Sequence, residues 1–496
     1  MNVLLIAPYV NLKFEDDKEN DRREDFYPSA ALLHLAAILR FNDHKPTILD
    51  FNNSNVHKKR KKYLENCKKN IIENLDKLKP KLVGINCLFS QVFPDVLEFA
   101  RLVKSHSPNT KVAIGGIHPT TFPIEILTNC PEIDFVAIGE GENTIVALVS
   151  AIEKNNEESL SEIKSFAFRD KYGKVKINRL KNYIDDLDTL PLPAWDLIDL
   201  DEFEMKLDHY YNPNKLKIKH KAAIFSSRAC PLACNFCDMF LVMGKKHRKR
   251  SIRTIVNEIE LLHKEYGVNY FSFMDDQLTL NRGHVMELCD EILKRNIKIV
   301  FDTPNGLWLN SLREEVIAKM AEAGLANANL AIEHGNEYIR NKIVGKNLER
   351  SKILEVAGYL KKYKVMSSAL FIMGFPEETN ETCQDTLDLI EEIQPDKFAT
   401  NMAIPFPGTA LFKQVVKDNL FVRKWDLKNL WKYPMVMAQT EFVIKPYNMS
   451  LEDLHKWKDK YESMHSKFWK TNPIKRKPLS ANKTSELAYN NLGLQK

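Results

Sequence analysis

The sequence predicts an α/β protein: an N-terminal Rossmann-like (flavodoxin-like) domain, then a partial (β/α)6 barrel, then a small, mainly helical C-terminal region. Three observations predict it. Short apolar strands alternate with amphipathic helices over the first 155 residues, which implies a parallel sheet covered on both faces. The alternation lapses and then resumes at about residue 220 for six strand–helix units. Cys230, Cys234 and Cys237, spaced C-x3-C-x2-C, follow the first strand of that second series directly.

In the first series, strands are predicted at Asn2 to Pro8, Lys45 to Phe51, Lys81 to Asn86, Lys111 to Gly115 and Asp134 to Ile138. Helices are predicted at Ser29 to Arg40, Lys59 to Leu78, Pro94 to His106, Ile124 to Asn129 and Glu142 to Lys154. Right-handed crossovers put every strand-to-helix loop on one edge, where ligands bind. Those loops carry Cys87 to Gln91 with Ser90 among them, then Gly115-Gly116-Ile117-His118-Pro119-Thr120, then Gly139-Glu140-Gly141-Glu142. Paired glycines admit a large flat ligand to the backbone. No G-x-G-x-x-G dinucleotide fingerprint is present.

Residues 156–215 read as a linker, with a hairpin-like piece from Ser165 to Asn178 and the stiff phrase Leu190-Pro191-Leu192-Pro193-Ala194-Trp195-Asp196. The barrel, residues 216–410, takes strands at Ala222 to Ser226, Tyr270 to Met274, Ile299 to Asp302, Asn329 to Ile332, Ser367 to Met373 and Phe398 to Ala403. Barrel chemistry sits at C-terminal strand ends. The second strand ends at Asp275-Asp276, the third at Asp302 to Gly306, and the fourth at Glu333-His334-Gly335. The fifth ends at Gly374-Phe375-Pro376-Glu377-Glu378-Thr379, and the sixth at Pro405-Phe406-Pro407-Gly408-Thr409. Residues 411–470 read as helical from Ser450 to Trp469, with aromatics spaced for packing ahead of a substrate lid. Residues 471–496 are polar, basic and expected to be disordered.

Three thiolates on one short loop can hold three irons of a 4Fe–4S cube and leave the fourth open to a small molecule. A zinc knuckle is the competing reading, but it calls for a fourth Cys or His close by. His247, ten residues on in a run of Lys and Arg, reads as solvated. With Phe236 ahead of the third cysteine, the motif resembles the signature of the radical S-adenosylmethionine (radical SAM) enzymes. That resemblance implies that the open iron chelates SAM. It places Asp275 and Asp276 at the SAM amino group, Glu333 at its ribose or methionyl end, and the Gly374–Pro376 turn against adenine.

The first domain resembles the cobalamin-binding domain found upstream of many radical SAM domains, on the phrases GGIHPT and DFVAIGEGENT. The resemblance implies that Ser90, Gly115, Gly116, Ile117, His118, Gly139, Glu140 and Gly141 bind cobalamin. The D-x-H-x-x-G motif whose histidine ligates cobalt is missing: the first strand runs into Ala7-Pro8-Tyr9-Val10. Cobalt with no histidine beneath it is the implied state. The domain pair implies a cluster, SAM and cobalamin sharing one cavity. Hydrogen abstraction by a 5′-deoxyadenosyl radical would be followed by methyl transfer from methylcobalamin to an unactivated carbon. Cyclisation or rearrangement, as in anaerobic tetrapyrrole ring cyclases, is the alternative; a cobalamin sensor is a third reading, against which the intact triad argues. A one-electron reductant such as flavodoxin or ferredoxin is implied. The substrate stays open among lipids, tetrapyrroles, peptides and secondary metabolites, and no catalytic protein acid or base is singled out.

Composition narrows the remaining classes. The chain has 496 residues, 44% apolar and 28% charged, with a net charge of +6. No signal peptide or membrane span is expected. The basic runs come without an RNA-binding motif, so no nucleic-acid partner is expected. Five of the eight cysteines are scattered, which fits a reducing cytoplasm, and an exposed cluster would add a need for low oxygen.

Overall fold

A computed structural model describes residues 1–10, 27–53, 59–156, 158–179, 183–203, 211–213, 215–432 and 441–471. Of the predicted C-terminal tail, residues 471–496, all but Thr471 lie outside them. The chain forms two units: Met1–Glu204 with Met239–Gly244 and Asp426–Val436, and the remainder from Met205 onward.

The first unit runs β1 (Asn2–Ala7), α1 (Ala30–Phe41), β2 (Lys45–Asp50), α2 (Arg60–Leu78), β3 (Leu82–Asn86), α3 (Phe93–His106) and β4 (Lys111–Gly115). It continues through α4 (Ile117–Thr121), α5 (Pro123–Asn129), β5 (Phe135–Ala137), α6 (Glu142–Glu153), β6 (Phe166–Arg169) and β7 (Val175–Asn178). The sheet order is β2-β1-β3-β4-β5-β6-β7. Its first five strands are parallel, with the 2-1-3-4-5 order of a doubly wound sheet. β1 shows why. Leu4 and Ile6 enter one core with residues of α2 and α3, while Val3 and Leu5 enter another with residues of α1 and α6. A strand apolar on both faces needs helices on both, and each such side chain contributes about 1.5–3 kcal/mol when buried.

Two pieces placed elsewhere by the sequence reading belong to this unit. The hairpin assigned to the linker is β6–β7, and β6 pairs antiparallel with β5, so it extends the first sheet. The described residues 426–432, assigned to the C-terminal region, count with the first unit, where Trp431 joins the core of Phe93 and Val96. Within the linker, Trp195 is buried and the Ala194 amide donates to Leu33 O at 3.1 Å, which pins the proline-rich phrase to α1.

The second unit contains β8 (His220–Ile224) and β9 (Ser227–Arg228). α7 (Phe240–Met243) follows in the chain but counts with the first unit. Then come β10 (Arg248–Lys249), α8 (Ile252–Tyr266), β11 (Val268–Phe273), α9 (Arg282–Lys294), β12 (Val300–Leu307), α10 (Glu314–Glu322) and β13 (Leu325–Glu333). The series ends with α11 (Arg350–Lys362), β14 (Met366–Met373), α12 (Asn380–Ile393), β15 (Lys397–Met402), α13 (Ala410–Lys417) and α14 (Leu451–Thr471). Six parallel strands lie in chain order, β8-β11-β12-β13-β14-β15, each joined to the next by a helix, as a partial barrel requires. Helix starts are written locally: Thr379 and Thr382 form a capping box on α12, and Thr409 accepts from the Phe412 amide to cap α13. α14 packs rather than hovers, since Leu454, Trp457 and Tyr461 share a core with Met373, Cys383 and Met402. Among the described residues no helix is long and apolar enough to cross a membrane.

Candidate functional site

The loop after β8 presents Cys230, Cys234 and Cys237 half-buried and outside any disulfide. Its backbone is held from two sides. The Asn235 amide donates to Val344 O at 3.1 Å, and Asn235 O accepts from the Leu411 amide at 3.0 Å. Burial pushes the Cys230 thiol up to about 11. Burial also raises Cys234, and the Lys346 ammonium opposes it. Iron binding would displace those protons. Among the described residues no three His, Cys, Asp or Glu side chains converge on a single ion. Ligands to separate irons of one cluster need no such convergence. His247, expected to be solvated, is instead half-buried.

Glu333 ends β13 with a left-handed backbone (φ 71°). Its carboxylate accepts from Lys346 Nζ at 2.7 Å, and both side chains are buried. Burial works against the Lys346 charge, but Glu333 and the Cys234 and Cys230 thiols outweigh it and raise its pKa. Lys346 carried no sequence signal, because one lysine in so lysine-rich a chain stands out only when folding buries it.

The two aspartates after β11 divide. Asp275 was expected at a SAM amino group, but its buried Oδ1 accepts from Ser226 Oγ at 2.6 Å, Ser227 Oγ at 2.5 Å and the Ser226 amide at 3.1 Å. It fastens the end of β8 to the end of β11. Asp276 has no such set; burial, then Asp275, raises its pKa to about 6. The third strand end also moves. β12 continues to Leu307, and Asp302 lies within it, buried and bonded to Ser272 Oγ and Tyr270 OH.

The fourth and fifth strand ends are tied together. His334 Nε2 meets Glu378 Oε1 at 3.0 Å, and both groups are fully buried. Glu378 Oε2 accepts from the amides of Gly374 and Phe375, which shapes the Gly374–Pro376 turn. Gly335 is required by close approach, since a Cβ there would lie 2.2 Å from Thr386 Cα. Phe236 stands with its ring centroid 6.3 Å from that of Phe375. Phe236, Glu333, Gly374 and Pro376 therefore gather at one edge.

In the first unit the expected loops also gather at one edge. Gly116 has φ 120°, and a Cβ on it would lie 2.3 Å from the Cys87 carbonyl oxygen, so the second loop presses on the first only as glycine. The Gly139 amide donates to Thr120 Oγ1 at 3.0 Å, which joins the third loop to the second. Ser90 Oγ lies 2.9 Å from His118 Nδ1. His118 is buried between Phe93 and Phe122, with ring centroids at 4.5 and 5.3 Å. Glu140 departs from expectation: it is buried, and its carboxylate accepts from the Ile184 amide at 2.9 Å, anchoring the linker.

These donor sets fit the implied groups. Three thiols with a buried cation nearby suit a cluster, the Glu333–Lys346 pair complements a zwitterion, and glycine loops that exclude a Cβ leave backbone for a large ligand.

Residues 224–390 match the radical SAM superfamily model and residues 21–149 the B12-binding domain model. The chain is 29% identical over 352 residues to an uncharacterized methyltransferase of Pyrococcus horikoshii, covering 71% of this chain and 73% of that one. It is 27% identical over 348 residues to the anaerobic magnesium-protoporphyrin IX monomethyl ester cyclase of Cereibacter sphaeroides, covering 70% of this chain and 55% of that one. In fold it resembles the radical SAM methyltransferase TsrM of Kitasatospora setae, with TM-score 0.67 and 17% identity over 86% of this chain and 77% of that one. A 4Fe–4S cluster, SAM and cobalamin are the cofactors of this domain pair, and its chemistry needs a reductant. The chain belongs to the radical SAM enzymes that carry a cobalamin-binding domain.

Proposed function

We propose that this chain is a C-methyltransferase that acts on an unactivated carbon of its substrate. The cluster and SAM supply one-electron chemistry when bound, and cobalamin supplies a transferable methyl group. The chain's own residues hold and orient. Cys230, Cys234 and Cys237 take the cluster irons. Lys346 and Glu333 take the carboxylate and the ammonium or ribose end of SAM, Asp276 is a second acceptor for the ammonium, and Phe236 with the Gly374–Pro376 turn flanks the adenine. Ser90 and the Gly115–His118 and Gly139–Gly141 loops hold cobalamin. A flavodoxin or ferredoxin in the cytoplasm provides the electrons.

The observation that carries this reading is the buried Glu333–Lys346 pair, whose Lys346 is also close enough to Cys234 and Cys230 to raise its pKa. Two opposite buried charges near two of the three thiols suit a zwitterion placed at a cluster. Anaerobic incubation with SAM, a reductant, methylcobalamin and candidate substrates tests it. Methyl transfer yields S-adenosylhomocysteine and 5′-deoxyadenosine in similar amounts. 5′-Deoxyadenosine alone would favour cyclisation, the reading to which the cyclase relative points. Cys234→Ala should lose cluster iron and SAM cleavage together; full turnover in that variant would refute the cluster assignment.

A further inference from the structure

Between Asp238 and Glu258 the chain carries Lys245, Lys246, Arg248, Lys249, Arg250 and Arg253 and no acidic residue. A block of like charge repels itself and is commonly disordered. This one is ordered, and its cations divide. β10 alternates as a strand does. Arg248 and Arg250 turn inward and are 4% and 7% exposed. The Arg250 guanidinium meets buried Glu258 at 2.6 Å and donates to Phe225 O at 2.9 Å, and its amide donates to Ser226 O at 2.9 Å. Arg250 thereby fixes the strand. Lys245, Lys246, Lys249 and Arg253 are exposed.

The fold has no use for the charge of Arg253. It lies in the first turn of α8, where the helix dipole disfavours a cation. The Ser251 hydroxyl already caps that helix by accepting from the Thr254 amide. The patch also has a particular place. β10 pairs antiparallel with β9, Arg248 opposite Arg228 and Lys249 opposite Ser227. Partners in such a ladder stand about 5 Å apart. Cys230 follows Arg228 by two residues, a span of at most about 8 Å. The cations are therefore built onto the strand that leads into the cysteine loop.

We infer that Lys245, Lys246, Lys249 and Arg253 form the docking surface for a small acidic electron-carrier protein, an inference that rests on the reading of the cysteine loop as the cluster site. The carrier's acidic face meets the four cations, which steer the encounter. A carrier seated there gives up one electron to the cluster, and no bond forms or breaks. Nucleic acid and anionic membranes are drawn to cations too, but neither has to sit beside a cysteine loop.

Titration of the full-length protein with oxidised flavodoxin, followed by flavin fluorescence, tests this without turnover. The wild type should bind, and affinity should fall as salt rises from about 50 to about 300 mM. Changing all four cations to Glu should weaken binding at least about tenfold at low salt and flatten the salt dependence. The same change at four exposed lysines of α2, Lys61, Lys62, Lys69 and Lys77, should do neither. Reduction of the reconstituted cluster by flavodoxin hydroquinone should slow by the same factor. Reduced methyl viologen, a small cation that needs no docking face, should reduce the patch variant at least as fast as the wild type. Unchanged flavodoxin affinity in the patch variant, an equal loss in the α2 variant, or slow reduction by viologen as well would overturn the proposal. So would loss of RNA or phosphatidylserine-vesicle binding with flavodoxin binding intact, which would assign the patch to that polyanion. Should the Glu variant fail to fold, the four Gln substitutions are read in the same titration. A wild type that assembles no cluster removes the cluster reading and the proposal with it; a cluster that forms and is reduced by flavodoxin at one rate in every variant removes only the proposal.

Discussion

The two ligand edges are built from opposite materials. In the second unit the edge is held by charged side chains away from water: Glu333 with Lys346, Asp275 with two serines, and His334 with Glu378. In the first unit it is held mainly by backbone and uncharged groups, with Glu140 the exception: Gly116 against Cys87, Gly139 on Thr120, and Ser90 on a neutral His118. A small charged ligand is fixed by counter-charges whose desolvation the fold has already met. A large flat ligand is fixed by shape, with side chains kept back. Substitutions should therefore fail differently at the two edges: on charge in one, on volume in the other.

The largest expected effect is on charge. Lys346→Met leaves the Glu333 carboxylate buried without its partner, which costs about 3–5 kcal/mol. SAM binding should fall with it, while Lys346→Arg should retain most of both. Thermal unfolding and equilibrium dialysis with SAM measure the two. A Met variant as stable as the wild type would mean that water reaches Glu333 and that the edge does not depend on charge.

Volume comes next. Gly116→Ala must move the Cys87 carbonyl and occupy a left-handed backbone, at a cost of about 2–3 kcal/mol. Cobalamin binding should drop while SAM cleavage persists. Equal loss of both activities would erase the distinction between the edges.

The neutral histidine makes the first edge sensitive to acid. Burial holds His118 near a pKa of about 3, whereas an unfolded histidine titrates near 6.5. Between those values the unfolded chain binds a proton that the folded chain refuses, so this contribution is complete above pH 6.5 and is lost as pH falls. The loss is about 1.4 kcal/mol per pH unit. Denaturant melts of wild type and His118→Asn from pH 7 to pH 5 should converge by that slope. Parallel curves would show that the ring is protonated in place.

Much of this was legible in the sequence. The cysteine triad, the six barrel strands and the glycine loops announce themselves because each is a local pattern: a spacing, an alternation or a φ that only glycine takes readily. What stayed hidden depends on partners distant in the chain. Asp275 and Asp276 are adjacent and alike in sequence, yet Ser226 and Ser227 claim one of them. Glu140 resembles a rim residue until Ile184 turns it inward. Lys346 is one lysine among many until folding buries it beside Glu333. The hairpin at Phe166–Asn178 was visible as a hairpin, but its pairing with β5 was not, because a strand's own residues do not name the edge it joins. Trp431 reads as one more C-terminal aromatic, and only the return of its segment puts it against Phe93.

The smallest effect separates a motif's ligand contacts from its scaffolding. The Pro405–Thr409 phrase ends the sixth barrel strand, where barrel chemistry is expected, yet Thr409 spends its side chain on the fold: its hydroxyl accepts from the Phe412 amide at 3.1 Å and donates to Phe406 O at 2.6 Å. It caps α13, and Leu411 of that helix bonds the cysteine loop at Asn235. Thr409→Ala should cost about 1 kcal/mol, the usual value of such a cap. SAM cleavage at saturating SAM should change less than twofold, because a loosened helix start shifts the loop's stability and leaves its charges in place. Thr409→Ser should be silent in both measurements. A large rise in the KM for SAM with unchanged stability would instead move Thr409 from the scaffold into the site, making the charged edge longer than the Glu333–Lys346 pair alone indicates.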